Sequence, residues 1–181
     1  MKETKLKLRL FPDPILRKKA SLVKEITPWH LKTLDQMAKI MYESSGIGLA
    51  ANQVGLTEAM IVVDVGRGLY KLINPKILKK EGSQIMEEGC LSIPGICIKV
   101  KRAKKILVSA QDEKKKPFTL EAQDLLACVL QHEIDHLKGK VILDYASFWE
   151  KFKIRKKLKE LKRLKDEELH KSETKSCQLQ L

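Results

Sequence analysis

The sequence predicts an α+β fold: antiparallel or mixed β-sheets packed around one central helix, with a helix near the N terminus and a basic helix near the C terminus. Three observations lead there. Short β-branched runs cluster in the middle of the chain, amphipathic helical patterns lie outside that cluster, and the two are segregated rather than alternating. With 181 residues, 43% hydrophobic and 33% charged, the chain has apolar material for one domain and is short for two.

Taken in order, Leu6, Leu8 and Leu10 alternate with Lys and Arg and read as a half-buried strand, which Phe11-Pro12-Asp13-Pro14 breaks. Thr27 can cap a helix from about Pro28 to Ser44, with Leu31, Leu34, Met37, Ala38 and Met41 on one face. The glycine-rich Gly46-Ile47-Gly48 follows. Met60–Val65 reads as a strand, Gly66-Arg67-Gly68 as a turn, and Leu69–Leu72 as a strand ending before Asn74-Pro75. Ile96–Val100 and Lys105–Ala110 are further strands, with a hairpin turn over Asp112–Pro117. Leu125, Leu126, Val129 and Leu130 give Asp124–Leu137 an apolar helical face, and Gly139 stops it. Ser147 with Glu150 is a capping-box pattern for a last helix at about 147–171. We read one domain over 1–171 and a disordered tail over 172–181.

No apolar run approaches the ~20 residues of a membrane span. The start of the chain has no signal-peptide pattern, so the expected setting is a reducing cytoplasm. There the four cysteines, Cys90, Cys97, Cys128 and Cys177, are read as hydrophobes, ligands or nucleophiles rather than disulfides. The net charge is +13, and Lys151–Lys171 holds ten Lys/Arg against four Asp/Glu, a balance of +6. Such a stretch attracts an anionic partner such as RNA or a ribosome surface; a solvated helix face is the plainer reading.

The sharpest signal is His132-Glu133-Ile134-Asp135-His136. Residues four apart share a helix face, so both imidazoles can reach one cation, with Glu133 beside the first. A hydrolytic centre needs a third protein ligand. Glu160 and Cys90 are both candidates, and sequence spacing does not choose between them.

Three segments together carry a resemblance: Gly46-Ile47-Gly48-Leu49-Ala50-Ala51-Asn52-Gln53-Val54-Gly55, Glu88-Gly89-Cys90-Leu91-Ser92, and Gln131-His132-Glu133-Ile134-Asp135-His136-Leu137. In order and spacing they resemble the signature motifs of peptide deformylases. Pro14-Ile15-Leu16-Arg17, Asn74-Pro75 and Ile93-Pro94-Gly95 agree, and the likeness covers roughly residues 10–165. The resemblance implies Cys90, His132 and His136 as metal ligands and Glu133 as general acid/base. It implies the Gln53 side chain and the Leu91 N–H as donors to the formyl oxygen. It implies a substrate site from Gly46, Ile47, Gly48, Met86, Glu88, Gly89, Leu125, Cys128 and Val129, and an Asp135–Arg102 ion pair behind the ligands. Asn52 stands where the family often has proline, a position expected to tolerate exchange. Cys97 stands where many relatives carry an arginine near the substrate. Cys97 and Cys128 themselves read as inert thiols.

The implied reaction removes the N-formyl group from N-terminal formylmethionine of newly made proteins and releases formate, with metal-bound water as nucleophile. Fe2+ is the implied native metal; Zn2+, Ni2+ or Co2+ can use the same ligands. The implied partners are nascent formyl-methionyl polypeptides and, through the basic helix, the ribosome surface; no membrane and no sequence-specific DNA binding are expected. Two other readings stay open on the residues alone: a zinc endopeptidase using Glu160, and a non-enzymatic RNA- or ribosome-binding protein.

Overall fold

The computed structural model describes residues 6–177. Seven strands form two antiparallel sheets. One has five strands in the order β1 (Gly48–Ala50), β2 (Met60–Val63), β3 (Tyr70–Glu81), β6 (Lys105–Gln111), β7 (Pro117–Gln123). The other is a ribbon of β4 (Gln84–Cys90) and β5 (Ile93–Arg102). Three α-helices complete the fold: α1 (Pro28–Glu43), α2 (Asp124–Leu137) and α3 (Phe148–Cys177). No described helix is long and apolar enough to cross a membrane.

Strand alternation divides the core. Ile61 and Val63 face α2 and pack with Ala127, Leu130 and Ile134, while Met60 and Val62 face α1 and pack with Leu34, Met37 and Met41. Each fully buried side chain of this size contributes roughly 1.5–3 kcal/mol. A third cluster joins Ile96, Ile98 and Val100 of β5 to Ile142, Ile154, Leu158 and Leu161. The central helix α2 therefore has the five-stranded sheet on one side, while Glu88 of the β4–β5 ribbon meets His132 on the other.

The helices begin and end where the local chemistry puts them. The Thr27 N–H is answered by His30 Nδ1 at 3.0 Å, and the Ser147 N–H by Glu150 Oε2 at 2.8 Å. Helix α2 stops at Gly139, which has φ +73°; its N–H reaches His136 O at 2.8 Å and the Lys140 N–H reaches Asp135 O at 2.9 Å.

Four local readings are corrected. The segment 6–10 keeps the expected alternation of burial but joins no sheet; the Arg9 N–H bonds Gln53 O instead. Gly48–Ala50, not expected as a strand, is a buried one paired with β2. β3 does not end at Asn74-Pro75: a register shift between Ile73 and Lys76 absorbs the pair, and Asn74 (φ +55°) bonds Val23 with its side chain. Helix α3 runs to Cys177, past the end expected at 171, since Ser172–Cys177 contains neither Gly nor Pro; residues 178–181 of the expected tail lie outside the described residues.

A methyl group on Gly139 would lie 2.3 Å from Arg17 O, at a backbone angle side chains avoid. Gly139→Ala should destabilise the fold by about 2–4 kcal/mol, as read by urea unfolding; an unchanged midpoint would contradict this account of how α2 ends.

Candidate metal centre and active site

The site forms where the end of β4 meets the last two turns of α2. On α2, His132 and His136 place their Nε2 atoms 3.2 Å apart. Cys90, the last residue of β4, follows a register shift in the ribbon and brings its Sγ to 3.2 Å from His136 Nε2. All three donor atoms lie within 4.8 Å of one another. Glu160, the alternative third donor, is on α3, half-exposed and paired with Lys157 at 3.3 Å.

The donor set fits a divalent cation. Nitrogens held at ~2.0–2.1 Å and a sulfur at ~2.3 Å from a tetrahedral ion stand roughly 3.3–3.6 Å apart, close to the spacing found. Two neutral imidazoles can face each other this closely only if a proton or a cation sits between their acceptors. Electrostatics agree. Burial opposes charge on His132, but Cys90, Glu88 and Glu133 outweigh it and push its pKa up to about 10. Burial, then His132, pushes His136 well below the ordinary histidine value.

Behind the candidate ligands lies a buried polar clasp. His132 Nδ1 is 2.9 Å from Glu88 Oε2. Arg102 grips the same carboxylate with Nε at 2.7 Å and Nη2 at 2.9 Å. Arg102 Nη1 also bonds Asp135, as the resemblance implied, and the Tyr145 hydroxyl donates to Asp135 as well. The guanidinium lies 4.8 Å over the Tyr145 ring. Burial raises the Glu88 pKa, but Arg102 and His132 more than reverse this and hold it at about 2. Glu88, expected among the substrate contacts, lines the pocket in front of the site, while its carboxylate turns inward with both oxygens engaged. Cys128 donates to Glu88 Oε1 at 3.1 Å, and burial with that carboxylate pushes its thiol up to about 12, so it stays protonated. Sequence reasoning assigned no role to Tyr145, which carries no local signal, or to Ser92, although Ser92 closes one of the motif segments.

In front lies a pocket of about 140 Å³. Ile47, Met86, Leu125, Cys128 and Val129 line it, together with Glu88, Gly89, Leu91, Gln53, Glu133 and two of the candidate ligands, Cys90 and His132. Gly46 and Gly48 shape its neighbourhood by lacking side chains: a methyl group would lie 2.6 Å from Leu91 Cδ1 at the first and 2.4 Å from Glu133 Oε1 at the second. Gln53 Oε1 accepts from the Ala50 N–H at 2.8 Å, which aims Nε2 at Ser92 Oγ (3.2 Å) and Cys90 Sγ (3.6 Å). Glu133 Oε2 is buried without a hydrogen-bond partner, and burial lifts the pKa of this carboxyl to about 7. Cys97 is exposed on β5, opposite Gly89. Asn52, expected to be freely exchangeable, is fully buried, and its side chain bonds the backbone of His136.

A helix-borne pair of histidines, a thiol from a neighbouring strand and an unpaired carboxyl at the base of an apolar pocket make up the centre of a metal-dependent hydrolase. Comparison with known proteins narrows the class. Residues 5–152 match the profile described as Polypeptide deformylase. A peptide deformylase of Syntrophomonas wolfei is 54% identical over 135 residues, covering 75% of this chain and 89% of the relative. The crystal structure of a peptide deformylase from Legionella pneumophila superposes with a TM-score of 0.83 at 37% identity, covering 90% of this chain and 98% of that one. One from Synechococcus elongatus, in complex with actinonin, gives 0.81 at 38% identity, covering 87% and 90%. The chain belongs to the polypeptide deformylase family.

The low pKa of Glu88 means the fold favours its ionised form. Its stabilisation is complete above the ordinary value of 4.5 and is lost as pH falls from there toward 2. Glu88→Gln should cost on the order of 3 kcal/mol at pH 7 in the metal-free protein and flatten that acid limb. Urea unfolding across pH 2–6 measures both, and an acid limb as steep as wild type would contradict the assignment.

Proposed function

We propose that this chain hydrolyses the N-formyl group from the N-terminal formylmethionine of newly made proteins in the cytoplasm, releasing formate and a free α-amine. The observation that carries this reading is the convergence of Cys90, His132 and His136 beside the unpaired carboxyl of Glu133, at the base of an apolar pocket. One domain over 1–171 holds every part.

Cys90, His132 and His136 would hold one divalent cation. Ferrous iron is our assignment from family resemblance, with zinc, nickel or cobalt able to take the same soft and imidazole donors. When bound, the cation supplies Lewis acidity, bringing the pKa of a coordinated water from ~15.7 toward ~7. The remaining steps belong to the protein. The methionine side chain enters the pocket between Met86, Leu125 and Val129. Gln53 Nε2 and the Leu91 N–H face the formyl oxygen as negative charge develops there. Glu133 takes a proton from the attacking water as its oxygen bonds to the formyl carbon. It returns the proton to the amine nitrogen as the carbon–nitrogen bond breaks. A carboxyl held near pH 7 suits both halves of that transfer.

We also propose that α3 docks on the ribosome surface. Its lysines and arginines supply the attraction. Phe148, Trp149 and Phe152, exposed by 76%, 72% and 62%, offer apolar contact at its first turn.

Glu133→Gln should keep its metal, measured by elemental analysis, and lose about 10²–10⁴-fold in formate release from a formyl-Met peptide under anaerobic conditions. Near-normal turnover in that variant would refute the reading. For docking, Lys153, Lys156 and Lys159 changed together to Glu should abolish co-sedimentation with ribosomes at low salt while leaving peptide turnover unchanged; retained co-sedimentation would remove the helix from the proposal.

A further inference from the structure

Asn52 lies in the buried 3₁₀ turn Ala51–Val54 and is fully buried. Its Nδ2 donates to the backbone carbonyl of His136, while its Oδ1 is buried without a partner. Carbonyls in the last turn of a helix run out of intrahelical donors. His136 O receives two from elsewhere: the Gly139 N–H at 2.8 Å and the Asn52 amide.

Packing does not account for an asparagine here. Burying an amide whose oxygen is unanswered is unfavourable, and an apolar side chain of the same volume would avoid that penalty. The donor accounts for it. Among the described residues, Asn52 makes the one side-chain hydrogen bond between this turn and α2. The next residue is Gln53, whose amide points toward Cys90 and Ser92. Gln53 and His136 come from different elements, yet a donor to the reacting carbonyl and a ligand of the cation beside it must keep a fixed relation within a fraction of an ångström.

We propose that Asn52 is a positioning residue: its amide ties the Gln53 turn to the last turn of α2, and so sets where the His136 ring stands relative to the Gln53 donor. The proposal rests on the reading of this site as a metal-dependent deformylase centre. It assigns Asn52 no contact with substrate or cation.

The test compares wild type with Asn52→Leu and Asn52→Asp, which keep the volume and lack the donor. In metal-free wild type, the Asn52 side-chain amide protons should exchange slowly by NMR. In cobalt-loaded protein, Asn52→Leu should release the metal to a chelator about 10-fold faster and shift the visible cobalt bands. Its kcat should fall about 10-fold with KM unchanged, at an unchanged or higher melting temperature. Should Asn52→Leu fail to fold, Asn52→Asp is read by the same three measures. Wild-type release rate and wild-type kcat in a folded variant would overturn the tether, as would freely exchanging amide protons in wild type. A wild type that holds no cobalt and releases no formate overturns the functional reading, and the catalytic purpose of the tether with it.

Discussion

A carboxylate held where carboxylates are costly underlies this site. Glu88 is 7% exposed, and alone in that setting it would be neutral or would unfold its surroundings. Arg102 and His132 make it tolerable, and in doing so they join three elements: β4, β5 and α2. Breaking one side of such an arrangement leaves an uncompensated charge behind, so its parts stand or fall together. Cys90 benefits directly. It is two residues beyond Glu88 at the end of β4, past a register shift, so the grip on Glu88 anchors the strand from which the thiol reaches the histidines.

What was legible in the sequence was local. The span of α2, its two histidines at a spacing of four, its glycine stop and the Ser147–Glu150 cap all follow from contacts between near neighbours, where periodicity and capping chemistry suffice. The third donor did not follow. Cys90 and Glu160 were equal on spacing, and only the fold, which sets one beside the rings and the other on an outer helix, separates them. Glu88 was placed at the pocket, which it does line, but the inward turn of its carboxylate did not follow from the sequence. A strand residue points to one face or the other, and which face is inside depends on a partner, Arg102, fourteen residues away on another strand. Gly48–Ala50 escaped because glycine gives no strand signal when its role is to leave room. Leu6–Leu10 misled because alternating burial marks a half-covered extended segment whether or not a neighbouring strand pairs with it.

The interior of α2 is unusually polar for a helix packed against a sheet: Gln131, His132, Glu133 and His136 are all buried. Most of their atoms are answered. Among the described residues, three of the five buried side-chain polar atoms without partners belong to Asn52, Glu133 and His136, so unsatisfied hydrogen-bonding capacity gathers at the chemical centre. Elsewhere the polar groups behave as the rest of a stable domain does, with Gln131 bonded to both the N–H and the carbonyl of Ala103. The fold gives up stability at the place where reactivity is wanted.

The tight contact of Gly48 with the Glu133 carboxyl and Val129 has an evolutionary corollary. No other amino acid can occupy that position without moving a reactive group, so drift there is closed. Novel preferences in this lineage must instead arise at Ile47, Met86 and Leu125, whose side chains reach the cavity and still have freedom at their solvent edge. Innovation is confined to the lip of the cleft, while its floor is frozen.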